Sequence, residues 1–270
     1  MGKKEKHKED LMTLFDDFFI TSNRKNIIDY LISNSNLPGR RANLELADAF
    51  GDTVIEIYNI NTKNIWDLCK NMTEIRHKEI EENDPEEFIS FCGLVGIGSI
   101  SSVCSSYFSE GLLILKNAAK DIKWRIREAV AMGIQRVLLN DAKKIINELE
   151  EWIKKKDYYI WRAVVAGLAE PDIVKNKEVA KKALEIHKEI LKQILDIEDR
   201  KLDSYKKLRQ ALGYTLSVVV EQIPKEGFKY INHIVKEDDK DIIWIVKSNL
   251  KKNRLLKKYP KEVERIKMSM

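Results

Sequence analysis

Asp121-Ile-Lys-Trp-Arg-Ile-Arg127, Asp203-Ser-Tyr-Lys-Lys-Leu-Arg209 and Asp241-Ile-Ile-Trp-Ile-Val-Lys247 follow one spaced pattern. An Asp is followed six positions later by a basic residue, with an aliphatic just before it. Each copy opens an apolar helical stretch. Arg162, with Ala163-Val-Val-Ala166 behind it, fits between the first two copies, although its acid, Asp157, is one residue out of register. An earlier copy opens at Asp84 and carries Ser90 in the basic slot. From position 90 to 127, 162, 209 and 247 the steps are 37, 35, 47 and 38 residues. Recurrence at that period is the mark of stacked two-helix hairpins.

Working outward, helical periodicity dominates and two-residue alternation is nearly absent. In 123–139, Ile126, Ala129, Val130, Gly133, Val137 and Leu138 make one apolar stripe. Small Ala129 and Gly133 let a neighbouring helix approach. Asn83-Asp84-Pro85 places an acid at an N-cap and Pro at the first helical position. Pro171, Pro224 and Pro260 mark further boundaries. The predicted helices cover about 9–20, 24–34, 41–58, 62–75, 86–104, 108–120, 123–139, 142–155, 158–169, 177–199, 204–223, 225–236, 240–257 and 260–267.

Charged residues make up 34% of the 270 residues, above the usual quarter, which suits a surface-rich helical array. The net charge of +5 is unevenly spread. Residues 41–100 hold five Lys or Arg against twelve Asp or Glu, whereas 204–270 hold sixteen against eight. Lys247, Lys251, Lys252, Arg254, Lys257 and Lys258 follow one another with no intervening acid. Such a run is either a solvated helix face or a patch for a polyanion. Three scattered cysteines, Cys69, Cys92 and Cys104, predict a reducing, cytoplasmic setting. The start of the chain lacks the clean apolar core of a secretory signal, and no apolar run is long enough for a membrane span.

The spaced Asp, aliphatic and basic residues resemble the HEAT repeat family. The residues that carry the resemblance are Asp121, Ile126 and Arg127; Asp203, Leu208 and Arg209; and Asp241, Val246 and Lys247. It is clear over 84–257 and degenerate over 9–75. The resemblance implies an all-α, right-handed α-α superhelix, here a single domain over 9–267 behind a charged tail at 1–8. It also implies that each basic residue meets an Asp of its own or an adjacent repeat. Asp121, Arg127, Asp203, Arg209, Asp241 and Lys247 would then form a structural ladder, joined by charged hydrogen bonds.

The motif names a fold and no reaction. The expected function is a non-catalytic scaffold whose concave surface holds a macromolecular partner, with protein expected first. Nucleic acid is the alternative, because an aromatic beside Arg can stack on bases. The candidate partner-binding residues are Trp124, Arg125, Arg136, Trp161, Arg162, Lys251, Lys252 and Arg254. Some DNA alkylation-repair glycosylases are built of HEAT-like repeats and carry a motif like Trp-Trp-Asp-x-x-Asp. The nearest stretch here, Ile65-Trp66-Asp67-Leu68-Cys69-Lys70, replaces the first Trp and the final acid, so that activity is disfavoured. His7, His77, His187 and His233 are scattered, without metal-ligand spacing to the cysteines. No catalytic residue, metal, cofactor, small-molecule substrate or membrane partner is expected.

Overall fold

A computed structural model describes residues 2–77 and 80–270, and they are all-α, with no strand among the described residues. The chain divides into two compact units, Met1–Asn140 and Asp141–Met270. The helices fall close to the predicted positions, which is what strong 3.6-residue periodicity allows.

The first unit contains α1 (Lys3–Thr21), α2 (Lys25–Ser33), α3 (Leu44–Ile57), α4 (Thr62–Glu74), α5 (Glu87–Val103), α6 (Ser105–Ala118) and the first part of α7 (Trp124–Ile153). The charged residues before position 9 are helical too. Lys4 pairs with Asp48 and Asp52, and Lys8 with Glu56 at 2.5 Å, so the first turns of α1 are tied to α3. Helix α5 is apolar all round and buried along nearly its whole length, as such a helix must be. It packs against α3, α4 and α6. A Cβ on Gly98 would lie 2.5 Å from Gly133 Cα, so α5 and α7 touch backbone to backbone there. Helix α7 leaves helical geometry at Asp141, close to where the sequence predicts a break between two helices.

The second unit begins there. It contains the rest of α7, then α8 (Tyr158–Leu168), α9 (Pro171–Val174), α10 (Lys177–Leu195), α11 (Asp203–Gln222), α12 (Pro224–Ile234), α13 (Lys240–Leu250), α14 (Asn253–Leu256) and α15 (Pro260–Lys267). Helix α11 lies between α8 and α13, while α10 and α12 pack on it as the other layer. Asp157 caps α8 by accepting the Tyr159 and Ile160 N–H groups, and Asp239 caps α13 through those of Asp241 and Ile242. The helix predicted over 240–257 is broken at Lys251 and Lys252. The turn brings Leu255 into the core, where it is fully buried, and α14 onto α11.

Two buried polar side chains fix the placing of α11. Asn249 donates to the Leu212 and Ile245 carbonyls at 2.7 and 2.8 Å and accepts the Ser217 N–H at 2.8 Å. His187 on α10 is fully buried, with Nδ1 2.7 Å from the Ala183 carbonyl and Nε2 3.0 Å from Thr215 Oγ1. A carbonyl only accepts, so Nδ1 carries the proton. Burial pushes the His187 pKa down to about 4.

The unfolded chain takes up that proton near pH 6.5, well before the folded one does. This contribution is constant above pH ~6.5 and is lost as pH falls towards 4. The loss amounts to about 3 kcal/mol. Urea melts taken across that window should show it, and His187→Gln should flatten the His-linked part of the slope.

Candidate functional site

One face of the second unit gathers aromatic and basic groups. On α11, Lys206, Gln210 and Tyr214 are exposed at four-residue spacing and form a single stripe. On α13, Trp244, Lys247 and the capping residue Lys251 form another. The two stripes adjoin because Gly213 lets the Trp244 ring rest against α11. A Cβ at Gly213 would sit 2.9 Å from that ring. The Arg209 guanidinium lies 3.9 Å from the Trp244 ring centroid, a cation–π stack. Trp244 is thereby held on one face and one edge, yet remains 37% exposed, and Tyr214 is 40% exposed.

Asp241 holds this arrangement from beneath. Its carboxylate accepts the Tyr205 hydroxyl at 2.8 Å and Arg200 Nη1 at 3.2 Å, and lies 2.7 Å from Arg209 Nε. The Arg209 contact is an ion pair in distance, with the Nε–H directed off the oxygen. Burial, together with the bond to Asp241, raises the Tyr205 phenol above its ordinary range, so it stays a donor. Arg200 also pairs with Asp239 at 2.7 Å. Burial alone would raise the Asp239 carboxyl, but the Ile242 N–H and Arg200 hold it below the ordinary value.

The predicted ladder is therefore uneven. Arg209 meets the Asp of the following repeat. Arg127 donates to the carbonyls of Asp121 and Ile122, at 2.5 and 2.8 Å. Asp121 accepts the Lys123 N–H at 2.8 Å and lies 3.9 Å from Arg76. Asp203 accepts the Tyr159 hydroxyl at 2.9 Å and lies 3.8 Å from Lys207. Lys247 is exposed and has no carboxylate partner among the described residues. It belongs to the surface stripe instead of a ladder.

The predicted binding residues separate in the same way. Arg125 is only 4% exposed. It donates to Glu87 at 3.2 Å, the Gly39 carbonyl at 2.8 Å and Asn83 Oδ1 at 2.7 Å. Arg136 bridges Asp48 and Asp52 and donates to the Asp48 carbonyl at 2.6 Å. Trp161 is wholly buried, with its indole N–H on the Ile153 and Lys155 carbonyls. All three side chains are engaged within the fold. Trp124 remains exposed on the first unit, with Arg125 4.6 Å from its ring. Arg162 is half-buried on α8. Lys251 is exposed and Lys252 half-buried, whereas Arg254 lies 3.6 Å from Glu221, which Lys258 also meets at 2.5 Å. Sequence reasoning missed Lys206 and Tyr214, although their four-residue spacing on α11 was there to be read.

Trp66 is buried and stacked on Tyr107 at 4.3 Å, and Asp67 pairs with Lys63 at 2.5 Å, so neither offers a base-binding pocket. Burial pushes the Cys69 thiol up to about 12, and Cys92 is likewise buried. No group of three or more metal-ligating side chains occurs among the described residues. None of the described helices is long and apolar enough to cross a membrane. A groove of about 730 Å³ lies between α10 and α12, where Lys188, Lys192 and Lys229 are mixed with Glu226 and Glu237.

No family model matches the chain, and no curated protein matches it. Among solved structures it is similar to a designed armadillo repeat protein at 11% identity, covering 82% of this chain and 98% of that one, with a TM-score of 0.29. A second designed armadillo repeat protein, solved in complex with the peptide (KR)4, gives 11%, 83%, 98% and 0.29. An engineered protein gives 13%, 89%, 98% and 0.30. Overlaps this loose leave the fold resting on the helix packing above.

Asp241 and Lys247 open and close the same sequence pattern, yet the structure gives them different work. Asp241→Ala should cost about 3 kcal/mol in chemical unfolding, since it leaves the Arg209 guanidinium without its acid and the Tyr205 hydroxyl without its acceptor. Lys247→Ala should change stability by no more than about 0.5 kcal/mol. Equal costs would contradict the placement described.

Proposed function

We propose that the chain is a non-catalytic scaffold of HEAT-like hairpins, and that it holds a protein partner on the α11–α13 face of its second unit. The observation that carries this reading is Trp244. It is positioned by Arg209 and Gly213 and still presents a large apolar surface beside Tyr214. Rigid aromatics with a polar surround are the usual anchors of protein interfaces. The cations around it add to this. Lys206, Lys247 and Lys251 have no carboxylate partner among the described residues, so a partner would not have to break existing pairs to use them.

Nucleic acid is the second reading, favoured by one observation: an Arg-backed Trp is a surface on which a base can stack. The glycosylase variant of that reading has no support from Trp66 or Asp67, for the reasons given.

A photo-crosslinking residue at position 244, with a control at exposed Lys229 on α12, separates these outcomes in an extract of the producing cells. A defined, protease-sensitive and nuclease-resistant adduct formed from 244 and not from 229 is expected. A nuclease-sensitive adduct would favour nucleic acid. No adduct from 244 would overturn the assignment of the face.

A further inference from the structure

Resting on the reading of α11–α13 as the partner face, we propose that the partner's bound segment is a short, extended, acidic peptide with an apolar or aromatic residue between its acids. Three observations lead there.

The first is charge. Four acids near the face are already engaged. Asp241 serves Arg200, Tyr205 and Arg209. Asp203 serves Tyr159 and Lys207. Glu221 serves Arg254 and Lys258. Asp239 caps α13 and pairs with Arg200. Lys206, Lys247 and Lys251 have no such partner among the described residues. A basic segment would find these carboxylates occupied, whereas an acidic one finds three unpaired ammonium groups.

The second is spacing. Lys206 to Tyr214 spans about 12 Å of α11, and Trp244 to Lys251 about 10 Å of α13. An extended peptide rises about 3.3 Å per residue and turns alternate side chains to one side. A sequence acid–x–aromatic–x–acid therefore presents its two carboxylates about 13 Å apart, with the apolar side chain midway. Each stripe carries a lysine at one end and an aromatic at the other, so an apolar side chain flanked by acids meets both kinds of group.

The third observation decides between peptide and polynucleotide. Proteins that grip DNA through its backbone neutralise on the order of 6–10 phosphates. This face offers three unpaired lysines, and Arg209 is already paired with Asp241. A short segment with two or three acids uses what the face holds and stops there.

The probe is a fluorescent Gly/Ser-flanked peptide containing Asp-Ser-Phe-Ser-Asp, read by anisotropy against the whole chain. Its comparators are the Asn-for-Asp peptide and an oligothymidylate of similar length. The acidic peptide should bind, weakening as salt rises, and the amide peptide should bind at least about tenfold more weakly. Reversing Lys247 and Lys251 to Glu together should weaken the acidic peptide about tenfold. Trp244→Ala should weaken it about fivefold, with the helical circular dichroism of both variants unchanged.

The proposal is overturned if the oligothymidylate binds more tightly than the peptide. It is equally overturned if the double reversal binds the peptide as well as the parent, or if the peptide does not bind. Sequencing the peptide crosslinked from position 244 tells the two readings apart. A captured protein segment without acids sinks this proposal and leaves the scaffold reading standing, whereas a nucleic-acid adduct removes both.

Discussion

The arrangement of the second unit depends on one nearly buried carboxylate. Asp241 collects Tyr205 and Arg209 from α11 and Arg200 from the loop before it, while its own backbone N–H is held by the α13 cap at Asp239. A charge so placed is stable only with its partners present. The consequence is geometric. Arg209 cannot swing out to solvent, so it lies against Trp244, and Trp244 in turn sits over the missing Cβ of Gly213. Stacking of α11 on α13 and display of the aromatic are two results of the same contact.

The first unit uses similar residues to the opposite end. Arg136 crosses to Asp48 and Asp52, and the buried Arg125 crosses to Glu87, Asn83 and the Gly39 carbonyl. Burial raises the Glu87 carboxyl, although Arg125 opposes this. Guanidinium groups engaged in this way hold helices and loops together and leave nothing for a ligand. An Arg beside a Trp is therefore not a recognition device by itself. What matters is what else stands beside the ring, since acids of the same fold match the charge here and at Arg209 alike. At Trp124–Arg125 it is matched at a nearly buried site, and the residue that stays exposed is only the Trp.

Most of the helices were legible in the sequence because apolar residues recur at 3.6-residue spacing over long stretches, and Pro and Asp mark the joints. The break at Lys251 and Lys252 was not legible, since a lysine pair inside a helix pattern carries no stop signal; the core's need for Leu255 makes the turn. The sites were less readable. The spaced pattern puts Arg209 and Lys247 in one register, yet the first meets a carboxylate and the second is exposed to solvent. Register along a helix states which face a residue takes, and not what the next helix brings to it. Trp161 shows the same limit. Its neighbour Arg162 suggested a surface, but its ring fills the core and its N–H binds carbonyls at the end of the preceding helix.

Trp244 departs from what packing alone would select. A Trp side chain covers about 150–250 Å². Leaving a third of that in water forgoes about 2 kcal/mol at the usual 25 cal/mol per Å². The fold has the means to avoid this, because Gly213 already admits the ring edge and a small or polar residue at 244 would close the α11–α13 contact without exposing apolar area. The Arg209 stack offsets only part of the loss, since exposed cation–π pairs are worth about 0.5–1 kcal/mol. The remaining deficit lies beside three lysines that the fold leaves unmatched. A surface that is costly to leave open and charged with a single sign has its natural complement in an apolar residue flanked by acids.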